Sequence, residues 1–361
     1  MRASVFDIEA LSDSQIGTWD ALLAALSVPS PFLSHAFCRA VNDCREKVRV
    51  VLIETASGIS GFLPFQMKSV GRFLGHAEKA GGALSDMFGV VGTCNEVLDP
   101  NDLLQRAGIS SLRFDHGVSE LCPFACEESE CTLGVRIRVD DFPMYMDSLR
   151  TRDKEFVKTV ERGHRQLERD FGEIRFLWHT IDPHREIDRL IAFKREQYRR
   201  TGKPDGFRGE WHRRLLHRLE NGPATDGCRL VLSTLCCGET WIASNLSLEC
   251  HGTLHVWYPV YDLRFRRYGP GHVLFFELFR HGHAQAIRWF DFGEGESSYK
   301  LKYGGDVYRL WKGVIRRSSP IGRSERVLQS LEWRVAKVCR AARIGRGSIQ
   351  RRHPKVNGRG G

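Results

Sequence analysis

Apolar residues recur at helical spacing early in the chain, where Ile16, Trp19, Leu22, Leu23 and Leu26 predict a helix over Ser14 to Leu26. Pro29-Ser30-Pro31 breaks it, and a second helix starts at Ser34. Val48 to Glu54 is then a β-rich run, Ser57-Gly58 a turn and Ile59 to Met67 a returning strand, the pattern of a hairpin. The same unit returns far downstream: Arg49-Val50-Val51-Leu52 reaches Gly58 at the offset by which Arg229-Leu230-Val231-Leu232 reaches Gly238. Two hairpins in matching register suggest a duplicated fold.

Between them, Phe156, Val160, Leu167 and Phe171 mark one face of an amphipathic helix whose other face carries Lys158, Arg162, Arg165 and Arg169. A helix from Pro183 to about Arg200 ends at Thr201-Gly202-Lys203-Pro204, and another covers Trp211 to Leu219. Strands follow at Arg229 to Leu235, Trp241 to Leu248 and Leu254 to Val260, joined by turns at Gly238-Glu239 and His251-Gly252. A Gly-Pro-Gly turn, a helix from His272 to about Ala286, a strand at Ile287 to Phe292 and a last β segment near Val307 to Ile315 complete an α+β order.

The 361 residues, 42% hydrophobic and 27% charged, fit a globular protein of about two domains and exclude collagen, general disorder and a disulfide miniprotein. The chain has no apolar run of membrane-spanning length and no signal-like N-terminus, so a cytoplasmic location is expected. The net charge of +10 is unevenly spread: residues 316–361 hold 13 Lys and Arg against Glu325 and Glu332, which leaves the body close to neutral. Eleven cysteines without a C-x-x-C pair argue against a disulfide framework. Cys122, Cys126 and Cys131 with His116 match no common zinc spacing, and no metal is expected.

The chemistry concentrates between Leu254 and Gly305. Arg266-Arg267-Tyr268-Gly269-Pro270-Gly271 fits R-x-x-G-x-G between a strand and a helix that opens at His272. Glycines admit a close ligand, the first helical turn has unpaired N–H groups, and the arginines add charge, so a pyrophosphate is the natural occupant. Asp291 ends a strand beside that helix, with Glu294 and Glu296 on the following loop; any of the three can serve as base, and Asp291 can equally cap the Gly293–Gly295 loop. Lys300 can steady an oxyanion or phosphate, or pair with Asp291, and Tyr299 ranks with it. Tyr258 and Tyr261 stand where a phenol can protonate a leaving thiolate, or where it simply packs, and His255 and His251 read more plainly as strand and turn residues.

These residues resemble a family. The R-x-x-G-x-G loop is similar to the acyl-CoA pyrophosphate loop of the GNAT acetyltransferases. Phe290-Asp291-Phe292-Gly293-Glu294-Gly295-Glu296 with Tyr299-Lys300 resembles the BioF2-like, CelD/BcsL-type acetyltransferases of cellulose biosynthesis. Tyr299-Lys300-Leu301-Lys302-Tyr303-Gly304-Gly305 is similar to the F-K-x-x-F-G-G segment of the related Fem peptidyl aminoacyltransferases, with weaker likeness at Ser30-Pro31-Phe32, the hairpin at 49–67 and Ser85-Asp86. The resemblance implies a tandem GNAT-like, Fem-like double fold, with one unit over residues 1–149 and a catalytic unit over 150–317. It implies acetyl-CoA or another acyl-CoA as co-substrate and an amine, hydroxyl or saccharide precursor as acceptor. Aminoacyl-tRNA as donor, and a non-catalytic accessory role beside a membrane polysaccharide synthase, are the competing implications.

Residues 318–361 are expected to form a basic amphipathic helix, with Leu328, Leu331, Val335, Val338 and Ala342 on one stripe, and then a disordered Arg/Gly-rich tail. Such a segment suits peripheral contact with an inner-membrane surface, contact with RNA, or docking on its own domain.

Overall fold

Both expected hairpins form, and each turns on a glycine with positive φ, Gly58 at +111° and Gly238 at +54°. The computed structural model describes residues 2–318 apart from 46, 69–71, 93–98, 123–126, 223–226 and 296–297. The basic helix and tail expected over 318–361 therefore lie, but for Ser318, outside the described residues.

The first half comprises β1 (Arg2–Asp7), α1 (Asp13–Ala24), α2 (His35–Cys44), β2 (Val48–Thr55), β3 (Gly58–Met67), β4 (His76–Lys79), β5 (Val91–Gly92), α3 (Pro100–Arg106), β6 (Ser111–Gly117) and β7 (Glu127–Arg138). Ser12 and Gln15 cap α1 reciprocally, and the Ser34 hydroxyl accepts from the Phe37 amide to start α2, as expected after the proline break. Helix α4 (Phe142–Arg152) leads on; residues 149 and 150 both lie within it. The second half comprises α5 (Lys154–Phe171), β8 (Ile174–Leu177), α6 (Pro183–Thr201), α7 (Glu210–Glu220), β9 (Arg229–Cys237), β10 (Thr240–Cys250), β11 (Thr253–Tyr261), α8 (Pro270–Ala284), β12 (Trp289–Glu294), α9 (Ser298–Leu301) and β13 (Asp306–Arg316).

Among the described residues the strands form one sheet in the order β1-β2-β3-β4-β6-β13-β7-β12-β11-β10-β9-β8, with β5 beside β3. The duplication is visible in this order. The antiparallel run β1 to β4 is followed by β6 parallel to β4, and the antiparallel run β8 to β11 by β12 parallel to β11. At the centre the two units exchange strands: β7 follows β6 in the chain but bonds to β12, and β13 follows β12 but bonds to β6. The exchange joins the units by β7 and β13, whose register runs from Asp306–Arg136 to Val314–Glu127.

The buried face of α5 (Phe156, Val157, Val160, Gly163 and Leu167) packs in one apolar cluster with Val273, Leu274, Leu278 and Phe279 of α8. A second cluster joins α1, α2, α6 and α7 to strands of both units. The sheet is thus covered by helices contributed from both halves, and its polar centre lies where the halves meet.

Candidate active site

Two parallel strands that pair only at one end leave a fork. Strands β11 and β12 bond over Thr253–His255 opposite Trp289–Asp291, and β11 then continues to Tyr261 without that partner. Near the fork the register of β11 slips against β10: Leu246 faces Tyr258 and Ser247 faces Val256, so Trp257 is an extra residue. Such a bulge turns backbone N–H groups out of the ladder.

Beyond the fork the chain makes a short 3₁₀ turn over Leu263–Tyr268, passes through Gly269 at φ +64°, and enters α8 at Pro270. Helix α5 lies directly against this loop at Gly163, where a Cβ would come within 2.1 Å of the Tyr268 carbonyl oxygen. A cavity of about 550 Å³ opens between them, lined by Arg162, Arg266, Arg267, Lys302, Gly269 and His272, together with Asp153 and Glu155. The amides of His272 and Val273 donate to the Gly269 carbonyl at 2.9 and 3.2 Å, and Pro270 has no N–H. The loop therefore offers few backbone donors, and its fit to a diphosphate rests on four cationic side chains against two acids. Arg267 lies over the Tyr268 ring and 3.5 Å from Asp170, while Tyr268 donates to Asp170 at 2.8 Å. Of the basic face expected on α5, Arg162 lines this cavity; Lys158 pairs with Glu155 and Arg169 with Asp170. Gly271 sits inside α8 with the Tyr261 ring 3.7 Å from where its Cβ would be, ordinary contact distance. His272 bonds Tyr303 Oη at 2.6 Å through Nδ1, and burial pushes its pKa down, so it stands neutral at the cavity wall.

At the fork itself a chain of ionisable groups crosses between the two halves. His255, buried in β11, faces Asp291 Oδ2 through Nδ1 at 3.3 Å and Asp86 Oδ2 through Nε2 at 3.1 Å. Burial alone would lower the His255 pKa, but the Asp291 and Asp86 carboxylates raise it to about 9, so the ring is an imidazolium held between two carboxylates. Burial would raise both carboxyl groups, and the imidazolium outweighs it and holds both below their usual range. Asp291 Oδ1 also accepts from the Gly293 amide and from Tyr308 Oη, each at 2.8 Å. The chain continues through His116, whose Nε2 lies 4.0 Å from Asp86 and 3.3 Å from Glu294, and whose Nδ1 meets Asp115 at 2.8 Å. Although burial lowers it, the carboxylates lift His116 to about 8, and His116 in turn draws Glu294 down to about 2. His116 adopts φ +57°, uncommon for a residue with a side chain.

The predicted residues divide accordingly. Asp291 and Glu294 lie in the chain of charges, and Asp291 both caps the loop and holds His255, so the two readings of it coexist. Lys300 does not pair with Asp291: its ammonium donates to the carbonyls of Phe292 (2.7 Å), Gly293 (3.4 Å) and Glu294 (2.7 Å), and burial lowers its pKa. It fixes the backbone that carries Asp291 and Glu294. Tyr299 lies parallel to Phe275 with ring centres 6.4 Å apart, and Tyr258 is buried against Trp257 and Phe207, its phenol pushed well above the usual range by burial. His251 bonds Asp20 in an exposed turn, and Glu296 and Cys126 lie outside the described residues. Asp86 and His116 were not foreseen as site residues, and His255, read as an ordinary strand residue, is the centre of the chain. The one sequence signal for Asp86 was the Ser85-Asp86 likeness.

Residues 154–301 match the profile of the acetyltransferase (GNAT) domain. The GNAT match begins at α5 and ends with α9, so it contains the fork, the loop and the cavity lining except Asp153 and Lys302. No curated protein sequence matches the chain. Among solved structures, the crystal structure of FemX superposes with a TM-score of 0.59 at 10% identity over 86% of this chain and 97% of that one. A conserved protein of unknown function from Bacteroides thetaiotaomicron superposes at 0.55, also with 10% identity, over 87% of this chain and 100% of the other. The chain thus has a GNAT-type acyltransferase fold in the Fem-like double arrangement, as the resemblance implied.

Proposed function

We propose that the protein transfers an acyl group from acyl-CoA to an amine or hydroxyl acceptor. The observation that carries this reading is the alignment of a cationic cavity, a helix N-terminus and an open strand fork that ends on a buried carboxylate–imidazolium–carboxylate group. Arg162, Arg266 and Lys302 would hold the diphosphate, and the fork beside the Trp257 bulge would receive the thioester, whose developing oxyanion meets amides of β11. The acceptor's lone pair forms the new bond to the carbonyl carbon, the carbon–sulfur bond breaks, and the thiolate leaves. The nitrogen becomes acidic only after it has attacked, so a carboxylate of ordinary or lowered pKa suffices to take its proton. Asp86, whose side chain is one-quarter exposed where that of Asp291 is buried, would take that proton, with His255 stabilising its charge. Membership of the BioF2-like, CelD/BcsL-type subfamily, with a saccharide precursor as acceptor, is the finer form of this proposal.

Calorimetric titration of acetyl-CoA into wild type and an Arg162→Gln/Arg266→Gln variant tests it. Each lost charge-assisted contact costs about 1.5–3 kcal/mol, so the double variant should bind at least a hundredfold more weakly. Equal affinity would remove the cavity from the reaction. The FemX-like fold supports a second reading, aminoacyl-tRNA as donor; gel shifts with charged tRNA that competes with CoA for the same cavity would favour it.

A further inference from the structure

The donor cavity lies among the helices that cover one face of the sheet, and a different set of polar groups meets the fork from the other face. Phe156, Val160 and Tyr268 of the cavity wall belong to the apolar cluster of α5 and α8, whereas Trp257 and Tyr258, at the bulge of β11, belong to the cluster built on α1, α2, α6 and α7. On that second face α6 carries Lys194, a residue only 9% exposed. Its ammonium lies 5.8 Å from the centre of the Tyr258 ring and donates to Gln197 Oε1 at 3.1 Å, one turn along its own helix. Among the described residues no carboxylate pairs with it: Glu186 is taken by Arg189, Glu196 by Arg199 and Asp205 by Arg195. The neighbouring charge is a second cation. Lys203, exposed just past the end of α6, acts on Lys194 and also on Lys300 behind the Asp291 loop. Burial, reinforced by the Lys203 charge, brings the Lys194 pKa down to about 8.

We infer that Lys194, assisted by Lys203, is the anion-recognising end of the acceptor site, so that the acceptor is an amine or alcohol that also bears a carboxylate or a phosphate. The inference rests on the acyl-transfer reading and narrows its acceptor. A buried ammonium without a counterion lowers stability, and a second cation beside it lowers it further, so the fold holds here a charge that it does not itself satisfy. Such a charge is matched when an anion enters from outside. Asp86 bears on the same place: its charge acts on the phenols of Tyr198 and Tyr258, which burial keeps protonated and therefore able to donate to an anionic oxygen. Tyr258 is thus shared by a carboxylate that would take the nucleophile's proton and an ammonium that would hold another part of the same molecule. A neutral acceptor would leave Lys194 unmatched, and one with a second cation would be repelled by Lys194 and Lys203 together. Because a lysine acts as a point charge on a flexible stem, carboxylate and phosphate both suit it. The donor's diphosphate and the acceptor's anion would then be held by separate cations on opposite faces of the sheet.

Calorimetric titration of the full chain in excess CoA tests the inference with matched pairs of amines: ethanolamine against O-phosphoethanolamine, glucosamine against glucosamine phosphate, and propylamine against β-alanine. In at least one pair the charged member should bind about tenfold or more tightly than its neutral partner, and the phosphate and carboxylate pairs tell the two anions apart. Lys194→Met should abolish that preference and melt no lower than wild type, since it removes a buried charge and keeps most of the aliphatic stem. Lys203→Gln, at an exposed position, should reduce the preference by less. No preference in any pair overturns the inference, and so does a preference that survives Lys194→Met. A Lys194→Met protein that melts well below wild type also overturns it, because the ammonium would then be satisfied within the fold. Acetyl-CoA affinity, measured on the same preparations, reports separately on the donor: its absence in wild type would sink the acyl-transfer reading and leave the anion preference standing.

Discussion

The imidazolium between Asp86 and Asp291 makes a sharp prediction about alkaline pH. His255 has a folded pKa of about 9 against an ordinary value of 6.5. Because the folded value is raised, its stabilisation is fully present below pH 6.5 and is lost as pH climbs through 9. The difference corresponds to about 3 kcal/mol, a large share of a typical domain's stability. His116, raised to about 8, acts in the same direction over a narrower window. Replacing Asp291 by Asn keeps the shape and an acceptor for the Gly293 amide and Tyr308 hydroxyl, but it removes the stronger of the two charges that hold the proton on His255. With burial then opposing one carboxylate instead of two, the His255 pKa should fall by more than a unit, and stability at pH 7 should drop by about 3 kcal/mol. Imidazole proton shifts followed from pH 5 to about 10, with urea midpoints over the same range, measure both quantities. Should His255 titrate below 7 in wild type, or remain near 9 in Asp291→Asn, the charge chain as drawn is wrong.

Four further substitutions separate scaffold from binding. Gly163→Ala places a methyl group 2.1 Å from the Tyr268 carbonyl oxygen, so α5 and the Arg266–Gly269 loop must move apart; a stability loss of about 1–3 kcal/mol and weaker acetyl-CoA binding are expected by melting and calorimetry. Gly271→Ala, with only ordinary contact to Tyr261 and no positive φ, should be neutral or stabilising by up to ~1 kcal/mol and leave donor affinity intact. Lys300→Met strands the Phe292 and Glu294 carbonyls and should cost about 2–3 kcal/mol in urea unfolding, with acetyl-CoA affinity little changed; an unaltered midpoint would deny Lys300 its hold on the loop. Gly293→Ala combines a φ of +60° with a methyl 3.0 Å from the His255 ring, so it should destabilise by about 1–2 kcal/mol and move the His255 resonance.

How far the sequence foretells this site depends on what kind of physics each part uses. Helical periodicity and hairpin turns are local, and the elements they mark, from α1 and the β2–β3 hairpin to α8 and β12, lie within a few residues of their expected bounds. The strands without a clear signal are those whose neighbours come from far away in the chain. His76-Ala77-Glu78-Lys79 reads as polar because its polar groups are satisfied by distant partners: His76 bonds Ser111, Gln66 reaches Glu78, and Lys79 reaches Asp115 and His116. Glu127–Arg138 alternates weakly because it lies at the strand exchange, between β12 and β13. The Gly-loop chemistry was legible because it is contiguous. The Asp86–His255–Asp291 group was not, since 169 residues separate its first two members and only the duplicated sheet brings them together.

The duplication also explains why one unit carries the fork chemistry. Where β11 and β12 part, the last pair is His255 opposite Asp291; where β4 and β6 pair in parallel, the matching position holds Glu78 opposite Arg113. The same backbone geometry therefore presents a proton-holding pair in one unit and fixed charges in the other. Beyond β4 the chain passes through Gly81, also at positive φ, into a three-residue 3₁₀ turn over Gly82–Leu84 in place of a helix such as α8, so this position lacks the dipole and the arginine-lined wall. The first unit instead supplies Asp86 and His116 to the second unit's fork. Strand exchange supports that loan: β7 and β13 bond along their length and join the sheet of the unit that carries Asp86 to that of the unit that carries His255. A charge group assembled across two halves would open if they moved apart. Here the sheet that carries His255 and Asp291 also holds the two halves in register.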